Sequence, residues 1–200
     1  MNAPLPQGVL AQAGVDTLLL RVQAIRYEAA SIHAFELVDP TGAPLPPVTA
    51  GAHVDVHLAG GVVRSYSLAG DPQDHQRWTL GVLREAKGRG GSQAMHEQVR
   101  VGQLLTVGMP RNAFPLADAA THSVLLAGGI GITPMWSMVQ RLEELGRDWT
   151  LHYRARSRAS ARTSTSTCPA SRCRRPADEG CSREASRDTW RSCFEAGPWG

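Results

Sequence analysis

Three short stretches of this 200-residue sequence carry residues suited to phosphate groups and to a flat aromatic ligand. The first is V-V-R-S-Y-S-L-A-G, residues 62–70. Side chains alternate along a strand, so Arg64 and Tyr66 share a face, with Ser67 at the strand end. A guanidinium meets phosphate with a rigid fork of donors, and a tyrosine ring can lie against an aromatic ligand. The pair also reads as a surface arginine and a cross-strand aromatic. The second stretch is G-R-G-G-S-Q-A-M, residues 88–95. Gly90 and Gly91 free the backbone before a short helix that Ser92 would cap, a natural phosphate cradle or an ordinary capped loop. The third is L-L-A-G-G-I-G-I-T-P-M, residues 125–135. It reads as strand, glycine turn and capped helix, the arrangement that sets a pyrophosphate on a helix N-terminus. Gly129 and Gly131 fit the first pair of a G-x-G-x-x-G pattern, but Pro134 stands where the next glycine belongs. Three arginines in H-Y-R-A-R-S-R, residues 152–158, could flank a nucleotide or form a solvated face.

The elements that must position these groups follow from periodicity. T-L-L-L-R-V-Q-A-I-R-Y (17–27), S-I-H-A-F-E-L-V-D (31–39), H-V-D-V-H-L, V-V-R-S-Y-S, R-W-T-L-G-V-L-R-E and Q-L-L-T-V-G read as six short strands. Turn residues separate them, and Gly60-Gly61 makes a tight hairpin. Six such strands predict a small antiparallel barrel over residues 10–115. Beyond residue 120 the pattern changes. S-V-L-L-A-G-G is a buried parallel-type strand, and T-P-M-W-S-M-V-Q-R-L-E-E-L-G has helical spacing. Thr133 suits the N-cap, Pro134 the first helical position and Gly146 the stop. W-T-L-H-Y-R is the next strand, so residues 120–160 read as the start of a Rossmann-like α/β domain.

The net charge of +3, with no dense basic stripe, gives nucleic-acid binding little support. The N-terminus lacks the pattern of a signal peptide, and no apolar run is long enough for a bilayer. A cytoplasmic protein with no membrane partner is the expectation.

R-S-Y-S, R-G-G-S, P-R-N-A-F-P-L and A-G-G-I-G-I-T-P-M, in that order, resemble the phthalate dioxygenase reductase family. That family includes vanillate demethylase reductases and lies within the ferredoxin reductase-like superfamily. The resemblance covers about residues 15–160 and implies an FMN-binding barrel, an NADH-binding α/β domain and a C-terminal plant-type [2Fe–2S] domain. It implies flavin contacts from Arg64, Tyr66 and Ser67, an FMN phosphate held by Gly90, Gly91 and Ser92, and Val82 and Leu83 beside the isoalloxazine. Gly129, Gly131 and Thr133 would line the nicotinamide site, with Ser67 and Thr133 nearest the chemistry. Asn112 and Phe114 would sit at the domain junction. The implied activity passes hydride from NADH to FMN, then single electrons through the cluster to a Rieske-type oxygenase. An FAD-dependent ferredoxin–NAD(P) reductase-like enzyme and a non-catalytic flavin-binding fragment are the alternatives.

The last forty residues depart from the family. From Ala161 to Gly200 there is no Leu, Ile, Val or Met, too little to offset the entropy of ordering. Cys168, Cys173, Cys181 and Cys193 give C-x4-C once, but not the C-x2-C that follows it in a plant-type cluster. No metal site is assigned. Arginine outnumbers lysine twenty to one, as in GC-rich coding DNA. Residues 161–200 are therefore expected to be a disordered tail, read out of frame, following a truncated nucleotide domain.

Overall fold

The computed structural model describes residues 17–154 and, as backbone, 163–168. Strands β1 (Thr17–Ala29), β2 (Ile32–Val38), β3 (His53–Leu58), β4 (Val62–Ser67), β5 (Trp78–Leu83) and β6 (Leu104–Gly108) form one antiparallel sheet in the order β4-β3-β6-β1-β2-β5. The expected six strands are all present. Alternation sends Leu20, Val22, Phe35, Leu37, Val54, Val56, Leu80 and Val107 into one core, each essentially without solvent contact. Gly60 and Gly61 turn β3 into β4 with positive φ (72° and 74°), a region open to glycine at little steric cost.

The sheet curls until its two edge strands meet, but only briefly. One bridge, Leu68 to Leu80, and one bond, from Ala69 N–H to Thr79 O at 2.8 Å, join β4 to β5. The expected barrel is thus a curled, barrel-like sheet whose edges touch at one point, not a closed barrel.

Helix α1 (Gly91–Glu97) lies against the end of the sheet, burying Met95 in the core. A second sheet follows, with β7 (His122–Gly128) parallel to β8 (Asp148–Arg154), and helix α2 (Ile132–Glu144) crossing between them. Met135, Trp136, Met138, Val139 and Leu142 of α2 pack on Leu125, Trp149, Leu151 and Tyr153, and on Ala29, Ile32 and Ala50 of the barrel. This one cluster fastens the two parts together. Gly146 ends α2 with φ 61°, its N–H bonding Glu143 O at 3.1 Å.

Two capping expectations are corrected. Helix α2 begins at Ile132 with Gly131 as its cap residue, so Thr133 lies inside the first turn and its hydroxyl donates to Ile130 O at 3.0 Å. Helix α1 begins at Gly91 behind Gly90, which has φ 80°. The Ser92 hydroxyl accepts the Glu85 N–H at 3.0 Å instead of capping the helix. In both cases the glycine turn brings the helix in earlier than the hydroxyl residue, and a nearer partner takes the side chain.

Strand β9 (Thr163–Cys168) pairs antiparallel with β8, inside the segment expected to be disordered. Its T-S-T-S-T run alternates β-branched threonines, which favour extended backbone. The remainder of that segment, including Cys173, Cys181 and Cys193, lies outside the described residues.

Candidate functional site

Arg64 and the Gly90–Gly91–Ser92 turn come together. Arg64, on the same face as Val62 and Tyr66, reaches over α1. A Cβ placed on Gly91 would stand 2.3 Å from Arg64 Cγ and 2.6 Å from its Nε, so only glycine leaves the arginine its path. The guanidinium donates to Arg89 O at 2.6 Å and to Val63 O at 2.8 Å. Those bonds occupy two of its five N–H groups and leave the others to an incoming anion.

Tyr66 is half-buried against the barrel core, and its hydroxyl, hidden from solvent, has no partner among the described residues. Burial pushes the phenol above its usual range, and nearby Arg64 offsets part of this. The group is a neutral donor awaiting an acceptor, and an orphaned buried hydroxyl in a native fold calls for a ligand or water.

Beyond the Leu68–Leu80 bridge, β4 and β5 part. Continuing the register sets Ser67 opposite Gly81 and Tyr66 opposite Val82 across the gap. Alternate residues turn their backbone groups to the same side of an antiparallel strand. Thr79 gives its carbonyl to Ala69, so Gly81 and Leu83 present their backbone N–H and C=O groups to the gap. Val82 does not: its side chain is buried in the core. Its carbonyl takes a bond from His96 Nε2 at 2.9 Å. Leu83 instead packs against the cluster shared with α2.

Thr133 closes this region from outside the sheet. A Cβ on Gly81 would lie 2.6 Å from Thr133 Cγ2. Gly81 escaped the motif reading, although a glycine inside a strand is itself a mark of close approach. Gly129, with φ 52°, and Gly131 form the 3-10 turn that leads from β7 into α2. Asn112 and Phe114 follow β6, where Phe114 O lies close to Gly51. The Asn112 amide donates to Thr49 Oγ1 at 2.6 Å and Ala50 O at 2.9 Å, and its oxygen accepts the Phe114 N–H at 2.9 Å. Gln140 of α2 adds a bond to Ala69 O at 3.3 Å. The expected residues thus form two adjacent groups, one around Arg64 and one around Thr133, joined by the open β4–β5 edge.

Among the described residues no group of three or more His, Cys, Asp or Glu side chains could hold a metal ion. In those residues no helix is long and apolar enough to cross a membrane.

A curled antiparallel sheet with Arg64 laid across the start of α1, docked on a parallel strand–helix–strand unit, defines a ferredoxin reductase-like flavin and nucleotide fold. Comparison with known proteins narrows this. The chain is 52% identical over 151 residues to the phenoxybenzoate dioxygenase subunit beta of Ectopseudomonas oleovorans, covering 76% of this chain and 47% of that protein. It is 48% identical over 136 residues to a vanillate O-demethylase oxidoreductase of a Pseudomonas species, covering 68% and 43%. A solved phthalate dioxygenase reductase, described as a modular structure for electron transfer from pyridine nucleotides to [2Fe–2S], superposes with a TM-score of 0.69 at 43% identity. That match covers 70% of this chain and 44% of the other. No family model matches. The chain belongs to the phthalate dioxygenase reductase family of oxidoreductases, and it spans about half the length of the curated relatives it matches.

Proposed function

We propose that this chain supplies the flavin-binding barrel and the opening of the nucleotide domain of an NADH-dependent reductase serving a Rieske-type oxygenase that acts on an aromatic compound. The flavin is FMN. The observation that carries the reading is Arg64 laid across Gly91, beside a buried Tyr66 hydroxyl with no partner among the described residues. Both are features that a phosphate and a flat polar ring system would complete.

When bound, FMN supplies hydride acceptance and the release of electrons one at a time. The chain's own residues do the positioning. Arg64 holds the phosphate dianion with its remaining N–H groups, and Gly90 and Gly91 let the backbone approach it. Ser92, whose oxygen is already an acceptor for Glu85, keeps its own proton to donate. Gly81 and Leu83 offer backbone groups to the ring's polar edge, and Tyr66 donates its phenolic proton. Ser67 stands at the mouth of the gap. Thr133 bonds Ile130 O and so keeps the Gly129–Gly131 turn against β5, where a nicotinamide would meet the flavin. Near-attack geometry depends on that spacing. The cysteine spacing does not fit a plant-type cluster, and no step is assigned to one here.

Arg64→Ala tests the reading. Loss of a charge-assisted bond to phosphate costs about 1.5–3 kcal/mol, or one to two decades in affinity. FMN binding should weaken by that amount, while riboflavin, which lacks the phosphate, should bind almost unchanged. Equal losses for both ligands would make Arg64 structural. Extraction and chromatography of the bound flavin separate FMN from FAD.

A further inference from the structure

The end of the barrel carries a pair of histidines that the proposed flavin chemistry does not use. His33 stands in β2 opposite Val82 of β5 and Tyr27 of β1. His96 is in the last turn of α1. The two rings stack with centroids 4.3 Å apart and planes 25° from parallel. Phe35 packs edge-on against His96, with centroids 6.1 Å apart, and Tyr27 lies 6.2 Å from His33. His96 Nε2 donates to Val82 O at 2.9 Å, so in the neutral ring the proton sits on that nitrogen. The pair therefore ties the C-terminal end of α1 to two neighbouring strands.

Neutral imidazoles can stack face to face, but two imidazolium ions at this separation repel. Glu97, the carboxylate next to His96, interacts with it and is also engaged by Arg84 at the end of β5 and by Gln93 of α1. Arg84 bonds that carboxylate and Arg100 bonds the Glu97 backbone carbonyl, so the acid is shared with two arginines. Tyr27 contributes no charge at neutral pH.

We infer that the stacked His33–His96 pair is a proton-sensitive latch: neutral, it holds α1 and the Gly90–Gly91–Ser92 turn on the barrel, and doubly protonated, it lets them go. Burial and the neighbouring His96 both hold the His33 ring below the ordinary imidazole range, in keeping with this. Arg64 reaches its position only while α1 is seated, so flavin affinity falls as the latch opens. His96 lies four to five residues along the helix from the Gly91 turn, roughly 6–8 Å. Any direct attraction of the new positive charge for phosphate therefore opposes the loss, and the titrations are run at about 1 M salt, where the Debye length is about 3 Å and that attraction is screened.

The inference rests on the flavin reading, and the experiment separates the two. The full chain and His33→Phe, which keeps a flat ring that cannot take up a proton, are titrated with FMN at about pH 8 and about pH 5.5, either side of the imidazole range. The FMN phosphate itself titrates near pH 6, equally for both proteins. The unsubstituted chain should lose about threefold to tenfold more affinity than the variant. His96→Gln, whose amide can still reach Val82 O, should be as insensitive as His33→Phe. Equal losses in all three overturn the latch. Imidazole proton resonances of the flavin-free chain, followed over the same range, give a second readout. Coupled titration of His33 and His96 without FMN binding at pH 8 refutes the flavin reading alone. Independent titration of the two rings refutes the latch, whatever the flavin does.

Discussion

Replacing Gly81 with alanine tests whether the barrel and α2 are packed as one unit. The new methyl would stand 2.6 Å from Thr133 Cγ2, inside any ordinary contact distance. Thr133 is β-branched, and turning its side chain would break the bond from its hydroxyl to Ile130 O. Overpacking of this kind costs about 1–3 kcal/mol. The φ of Gly81 is not positive, so alanine also gains roughly 0.4–1 kcal/mol by restricting the unfolded chain. The net expectation is a loss of about 0.5–2 kcal/mol, seen as a melting temperature lower by several degrees. Thr133→Ser removes the opposing methyl and keeps the hydroxyl. In that background Gly81→Ala should be neutral or slightly stabilising, leaving a coupling of about 1–2 kcal/mol in the double-mutant cycle. Thermal and urea unfolding of the four proteins measure it. If Gly81→Ala costs the same with serine as with threonine at residue 133, the two parts do not meet through this contact, and the placement of Thr133 against the β5 edge is wrong.

Gly91→Ala should displace the whole Arg64 side chain, because the overlap begins at its Cγ, and should cost about 1–3 kcal/mol of stability as well as its bonds to Arg89 O and Val63 O. FMN affinity should then fall by about one to two decades while riboflavin affinity holds, by the same titration used for Arg64→Ala. Gly51→Ala should be more damaging still, since Gly51 has φ 91° and its Cβ would meet Phe114 O at 2.0 Å. A loss of about 3 kcal/mol or more is expected from calorimetry, the sum of backbone strain and overpacking. Stability should also decline in acid. The folded state holds His33 below its unfolded value near 6.5. Above that pH both states are neutral there and nothing changes. As pH falls through it, the unfolded chain binds a proton that the folded chain resists, and stability drops. Melting temperatures of His33→Phe should show a shallower decline between about pH 7 and about pH 5. Finally, the coding DNA beyond residue 160, read in its other frames, should restore an apolar strand–helix pattern and a C-x4-C-x2-C run. A frame set without either would make the written tail native.

Sequence alone determined strands β1 to β8 and helix α2, because burial of one face imposes a period of two or 3.6 that can be counted. It also determined the order of the glycine- and arginine-bearing motifs, which is a property of the chain itself. The hairpin at Gly60-Gly61 and the stop at Gly146 were legible because their positive φ calls for glycine. What faces what was not. Periodicity says that Arg64 and Tyr66 share a side, but not that Arg64 crosses Gly91, or that the phenol is left without a partner among the described residues. The caps assigned to Ser92 and Thr133 failed for the same reason. Each hydroxyl found a partner set by the path of the surrounding loop, Glu85 in one case and Ile130 in the other. Strand β9 shows the converse limit. Composition weighs apolar burial, whereas pairing on an open strand edge needs only backbone hydrogen bonds and residues that tolerate extension. The stacking of His33 on His96 and the meeting of Gly81 with Thr133 depend on how far the six-stranded sheet curls and where α1 and α2 seat on it. Those are decided by the fit of side chains across elements distant in sequence, which local patterns do not encode.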